Sequence, residues 1–283
     1  MENNQSEIVK ALPTRLFYLL VLLLLFYRGL QGALLHHVAH SGLFYTGFDK
    51  TYWLWVLTGI PAIINHSSLF SWGIDLTLIA FTFICFYKPT QVLFSRLFWM
   101  LFLVFYLTFN LYADAFFKPG LAILMVGFTF CFHKTEEKAV WWKFSRYYFL
   151  FIYVSSALWK ISKGGLQADG WFSTMLTDEN IQSFYFQKFF LFKNACWWLI
   201  QHPFAADMFY KAGILLELVF LLGFFTEKWD KWLIIVSIVL HLSISLLLDI
   251  HIYWLEFQVF YITLHWSGFS KIETKLDRIL MTL

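Results

Sequence analysis

Long apolar runs, broken by single charged residues or glycine steps, organise this chain from end to end. The runs reach about 17–20 residues, the length a helix needs to cross the hydrocarbon of a bilayer. A barrel strand would instead alternate over about ten residues. Away from water each crossing segment has to satisfy its own backbone, which selects helices here. The pattern predicts an all-α fold, a polytopic integral membrane helix bundle of eight transmembrane helices near 16–35, 69–87, 94–112, 120–132, 144–161, 208–225, 232–248 and 252–266. It is read as a single transmembrane domain over 1–283, within which residues 1–15 form a cytoplasmic N-terminal segment and 267–283 a cytoplasmic tail. The longest break, 164–207, carries the polar stretch GGLQADGWFSTMLTDENIQS and then an amphipathic aromatic segment. A connection that long inside a compact bundle tends to be functional.

Charge orients the bundle. Lys10 and Arg15 precede the first helix, Lys88 and Arg96 separate the second from the third, and Lys134, Lys138, Lys143 and Arg146 lie around the link from fourth to fifth. Lys228 and Lys231 separate the sixth from the seventh, and Lys271, Lys275 and Arg278 lie in the tail. The opposite short loops hold only Lys50 and Lys118. The short-loop bias of basic residues makes the first side cytoplasmic, with both termini inside. Tryptophan pairs at 141–142 and 197–198 suit the aromatic belts of the membrane interface. The first apolar run is long enough to span and no small-residue cleavage site follows it, so it is read as a retained helix and not a signal peptide.

Composition sharpens the class. Hydrophobic residues make up 60%, aromatics 22% and charged residues 14%, against about half apolar and a quarter charged in soluble domains. The surplus apolar surface needs a lipid bilayer to cover it, which excludes a soluble enzyme, a disordered chain and a nucleic-acid binder. A net charge of +3 adds no case for a polyanionic partner. Cys85, Cys131 and Cys196 stand far apart, with neither a CxxC pair nor a disulfide framework. No HExxH, Walker loop or GxSxG motif is present.

An ionisable side chain at mid-bilayer costs roughly 2.5–3.5 kcal/mol on insertion scales, so each one asks for a reason. On the oriented helices they gather toward the outer half. Arg28 and Gln31 lie past the middle of the first helix, with His36, His37 and His40 at its outer end. Asp75 starts the second, Lys160 caps the fifth on a face with Tyr153, Ser156 and Ala157, and Glu217 is central in the sixth. His241, Ser245 and Asp249 repeat every four residues in the seventh, and the eighth opens with His251 and Glu256. A polar chamber opening outward is the simplest geometry. Such charges also pair simply to lock a bundle, Arg28 with Asp75 or Glu217 for example. A lysine at a helix end commonly snorkels to the interface. His36 and His40 have the spacing of metal ligands, but histidines beside headgroups are usually interfacial, and no metal site is assigned.

Three segments, LFYRGLQGALL, YVSSALWKISKGGLQADGW and LELVFLLGFFTEKWDKWLIIVSIVLHLSISLLLDIHIYWLEF, resemble the horizontally transferred transmembrane domain family. These are bacterial relatives of the vitamin K-dependent gamma-glutamyl carboxylase. The first is similar to the family's opening helix, with arginine before glycine. The second is similar to an aromatic helix with small residues, a lysine and a later Gly-Trp, and the third to the closing helices with their acid and histidine. Where the carboxylase has an Asn-His pair, this chain reads ADAFFKPGLA. It also has too little sequence after the last expected helix for the carboxylase's large substrate-gripping domain.

The resemblance implies a location in the bacterial cytoplasmic (inner) membrane and a reduced quinone, of vitamin K or menaquinol type, as cofactor. Lys160 falls on the lysine that acts as catalytic base. Arg28, Asp75, Glu217, His241, Asp249 and Glu256 are expected to set its charge or orient substrate. The expected activity is quinol-coupled modification of a secreted peptide or a lipid. The alternative is a non-catalytic membrane component that assists export, maturation or immunity of a partner protein or peptide. One branch of the family, similar to the sporulation-delaying-protein B group, helps mature a secreted peptide toxin.

Overall fold

A computed structural model describes residues 14–30, 32–38, 50–112, 121–167, 169–185, 193–248 and Ile279. Asp249, Glu256, the expected eighth helix at 252–266 and nearly all of the two terminal segments lie outside these residues. The described residues are helical, and no strand occurs among them. In chain order the helices are α1 (Thr14–Leu30), α2 (Leu35–Val38), α3 (Lys50–Leu57), α4 (Ile60–His66), α5 (Ser68–Tyr87), α6 (Val92–Tyr112) and α7 (Leu121–Thr129). They continue with α8 (Thr135–Ser162), α9 (Trp171–Tyr185), α10 (Lys193–Gln201), α11 (Pro203–Val219) with a 3-10 extension over Phe220–Phe224, and α12 (Asp230–Leu248). Among the described residues three stretches are long and apolar enough to cross a membrane, Thr14–His37, Ser68–Tyr87 and Val92–Phe109. The chain groups into two compact units, residues 1–143 with 266–283, and residues 144–265.

In the first unit, α5 packs against α1 and α6, and α7 packs on α6. Aromatic rings build its core. Phe17, Tyr18 and Phe98 are fully buried, with Tyr18 edge-on to Phe98 at 5.2 Å and Phe17 against Phe130 at 5.2 Å. Such pairs add about 0.5–1.5 kcal/mol beyond the area they bury. The Tyr18 hydroxyl, which burial would otherwise strand, donates to Ser95 Oγ at 2.9 Å. Gly127 lets α7 close on this core, since a Cβ there would meet Phe17 at 3.4 Å.

Helix ends carry carbonyls without internal partners, and arginines meet several of them. Arg15 Nη1 donates to Phe86 O, at the end of α5. Arg96 Nε donates to Cys131 O, just past α7, at 2.9 Å. The first expected span does not run on unbroken as one regular helix. Gly32 adopts a left-handed φ of 67°, and Ala33 N–H donates back to Arg28 O at 2.8 Å. Two short helices, α3 and α4, were not anticipated from the pattern. Left-handed Gly59 (φ 73°) separates them, and Pro61 sits in the first turn of α4, where a missing N–H costs nothing.

In the second unit α9 packs on α10, α11 and α12, and α11 packs on α12. Thus the long break 164–207 contains two helices of its own. Asp207 is buried and caps α9 from a neighbouring helix, accepting from Gly170 N–H at 2.5 Å and Phe172 N–H at 3.4 Å. Beneath them Phe172, Leu176, Cys196, Leu199, Ala206 and Leu247 form one apolar cluster. Asn180 crosses it, donating to Leu176 O and Leu247 O.

The far end of α8 is clamped by Arg146. Its Nε and Nη2 form a two-pronged pair with Asp230 at 2.9 and 2.6 Å, and Nη2 also reaches Gly223 O at 2.8 Å. Gly223 permits this approach, because a Cβ there would lie 2.5 Å from Leu150 and 2.9 Å from Leu233.

Two outcomes are expected. Arg146→Ala removes the two-pronged partner of the buried Asp230 carboxylate and destabilises the protein by about 3–5 kcal/mol, read as a lowered thermal unfolding midpoint in detergent. Burial pushes the Cys196 thiol up to about 11, so near neutral pH its thiolate fraction is on the order of a hundredfold below that of free cysteine. Iodoacetamide therefore labels Cys196 slowly in the folded protein. Labelling accelerates as pH rises toward that value or on unfolding, followed by peptide mass spectrometry.

Candidate functional site

The site is built around the end of α8. Past Lys160 the chain reads Ile161-Ser162-Lys163-Gly164-Gly165. Gly164 is left-handed (φ 82°). Its N–H donates to Ile161 O at 2.9 Å, and Gly165 N–H donates to Lys160 O at 2.8 Å. These two bonds are the Schellman helix stop. A Cβ on Gly165 would lie 2.7 Å from Lys160 O, so the second glycine answers to a close approach and the first to its dihedral angle. What reads as the opening of a polar loop is the device that ends α8 with Lys160 in its last turn.

Lys160 Nζ donates to Glu217 Oε1, on α11, at 2.5 Å. The lysine side chain is 24% exposed and the glutamate 10%. An ammonium in the final turn also faces the negative end of the helix dipole, which favours it by about 0.3–1 kcal/mol. Among the described residues nothing donates to the second carboxylate oxygen, Oε2, which is buried. Leaving a buried acceptor in that state costs about 1–3 kcal/mol.

Two turns earlier on α8, the Tyr153 hydroxyl lies 2.6 Å from Ser237 Oγ and 2.7 Å from His241 Nε2. Ser237 and His241 are four apart on α12 and share a face. The Tyr153 ring stacks on Phe220 at 3.9 Å and 13°. Electrostatic interaction links Lys160 with His241 and Glu217 with both Tyr153 and Tyr210. Within the second unit, then, Lys160, Glu217 and His241 come together around a tyrosine. Ser237 was not singled out from the sequence, though its four-residue spacing from His241 continues the stripe that was.

Arg28 and Asp75 belong to the first unit, and both are buried. The Arg28 guanidinium lies over Phe109 at 4.8 Å and Phe105 at 5.4 Å, within the range of cation–π attraction. Asp75 caps α2, accepting from Leu35 N–H at 3.3 Å and His36 N–H at 3.0 Å. It also pairs with His36 Nδ1 at 2.8 Å. The His36 ring stacks on Trp72 at 3.5 Å. His40, Asp249 and Glu256 lie outside the described residues. No protein-family model, curated protein or solved structure matches this chain.

The pair is testable as a pair. Lys160→Met leaves Glu217 charged in a buried setting and destabilises by about 3–5 kcal/mol. Adding Glu217→Gln to that variant recovers most of the loss, whereas independent sites would simply add. Thermal unfolding of the two single variants and the double variant measures the coupling.

Proposed function

We propose that this chain is a carboxylase-like integral protein of the bacterial cytoplasmic membrane, crossing it eight times with both termini inside. Its acid–base site would serve quinol-coupled modification of a secreted peptide or lipid from an outward-facing chamber. The membrane reading draws support from belts of large exposed apolar side chains: Leu23 and Phe26 on α1, Leu69 and Phe83 on α5, Phe151 and Leu158 on α8, Ile235 and Leu242 on α12. Water would oppose exposure on that scale. The orientation draws support from Arg15, Arg96 and Arg146, all assigned to the inner side. Each is anchored on carbonyls at helix ends or turns, while the Lys160–Glu217 pair falls at the opposite end of α8.

The observation that carries the chemical reading is the Lys160–Glu217 pair with its vacant carboxylate oxygen, set beside the Tyr153–Ser237–His241 chain. A reduced quinone fits these residues by type. It brings a hydroxyl donor, which Oε2 lacks among the described residues, on a flat ring suited to the aromatic neighbours Tyr153, Phe220 and Tyr210. When bound, such a cofactor supplies the oxygen-driven oxidation that powers removal of a proton from the substrate. The chain's own part is to hold and move protons, and Lys160 and Glu217 act as one exchanging unit. His241 and Ser237 fix the Tyr153 hydroxyl and so the wall of the site. Arg28 and Asp75 hold the outer parts of the first unit, with Asp249 and Glu256 assigned by sequence position to orient substrate.

A second reading, a non-catalytic component that assists export, maturation or immunity, is favoured by the aromatic surface of the 164–207 segment. There Trp171, Trp197 and Trp198 are about half exposed. In that reading these faces take a secreted peptide or a membrane protein partner.

Reduced menaquinone or vitamin K, oxygen and the purified protein in lipid separate the two. Epoxide from wild type and none from folded Lys160→Ala supports the enzyme. No epoxide from either, with a partner recovered from native membranes and lost on substituting Trp197 and Trp198, supports the second reading.

A further inference from the structure

We infer that within the Lys160–Glu217 pair the carboxylate, through Oε2, is the group that takes the hydroxyl proton of the bound donor, while Lys160 remains an ammonium that holds the resulting anion. This rests on the acid–base reading above and assigns the roles inside it. A base needs a free electron pair. Lys160 Nζ donates to Glu217 Oε1 at 2.5 Å, and it does so from the last turn of α8, where the dipole also favours positive charge. An ammonium in that position has no lone pair to offer. Glu217 does: one oxygen is engaged by Nζ, and the other is buried with no donor among the described residues. Ionised carboxylates only accept, so Oε2 is the atom of the pair left to take a proton.

The neighbours narrow the substrate class. Tyr153 commits its hydroxyl to Ser237 and His241 and turns its ring face to Phe220. Tyr210 lies near the carboxylate as well. A neutral hydroxyl donor on an aromatic ring fits this setting better than a second cation, because Lys160 already supplies the positive charge. In the step the O–H bond of the donor breaks and an O–H bond to Oε2 forms. The electron pair stays on the donor oxygen. The site passes from carboxylate, ammonium and neutral donor to carboxylic acid, ammonium and anion, so the charge that moves stays beside Nζ. Lys160 is a positioning residue in this scheme, and Glu217 the catalytic one.

Arginine tests the division of labour because it keeps the charge and cannot act as a base. Amine labelling tests it without turnover. In wild-type protein in nanodiscs, 1-fluoro-2,4-dinitrobenzene is expected to label Lys160, whose amine is held by Glu217, more slowly than the exposed Lys163. In Glu217→Gln the difference shrinks, which steric shielding alone would not produce. Reduced menaquinone, added without oxygen, is expected to raise a protonated-carboxyl infrared band in wild type and Lys160→Arg that is missing from Glu217→Gln. With oxygen, Lys160→Arg keeps measurable epoxide formation and Glu217→Gln loses it. Lys160 labelling as fast as Lys163 in wild type would overturn the assignment, as would epoxide formation by Glu217→Gln. Absence of epoxide from wild type removes the quinol reading, and the labelling still decides which member of the pair carries the proton.

Discussion

An unpaired polar group held away from water costs more than most single contacts return, and the architecture is arranged around that cost. Helices solve the problem along their length and reopen it at both ends, where amides and carbonyls have no internal partner. Here acids borrowed from neighbouring helices meet exposed amides: Asp75 serves α2 and Asp207 serves α9. Arginines meet carbonyls, as Arg15, Arg96 and Arg146 do. Each such contact also ties one element to another, so satisfying a terminus and packing the unit are a single event. Against this background Glu217 Oε2, like Asn180 Oδ1, is a buried acceptor that no donor meets among the described residues, and it alone of the two belongs to a carboxylate paired with a cation.

Much of this was legible in the residues. Apolar run length located α5, α6 and α12 closely, because a helix of that length must be apolar along most of its faces and the signal is strong. The polar residues that matter in the second unit, Lys160, Glu217 and His241, were conspicuous for the same reason in reverse. What stayed hidden was partnership. Nothing in the sequence ties Arg146 to Asp230, which looked like one more basic residue at an inner boundary and an acid at a helix start. Arg28 was conspicuous as a charge, but nothing in the sequence announced the rings of Phe105 and Phe109 that its guanidinium lies over.

Local backbone chemistry was the other blind spot. The segment at 50–66 falls between the first two expected spans and was assigned no element. It folds as α3 and α4 because Gly59 can turn left-handed and Pro61 can open a helix. The long break at 164–207 reads as a polar loop, yet Asp207 supplies the cap that lets α9 begin. Both depend on one residue at one dihedral angle or distance, which hydrophobic periodicity does not register.

Gly32 and Gly164 share a further property. Each stands four residues after a cation, Arg28 and Lys160. In each case the amide after the glycine closes back on the carbonyl of that cation, Ala33 on Arg28 and Gly165 on Lys160. The same ruler is therefore used twice, once in each unit. The position of each charge along its helix is metered from the glycine by about one helical turn, independently of which cation occupies the position. Backbone geometry sets the distance from the helix end, and the side chain sets only the chemistry. One could therefore exchange the cation without moving the place where it acts, or move that place by shifting the glycine alone.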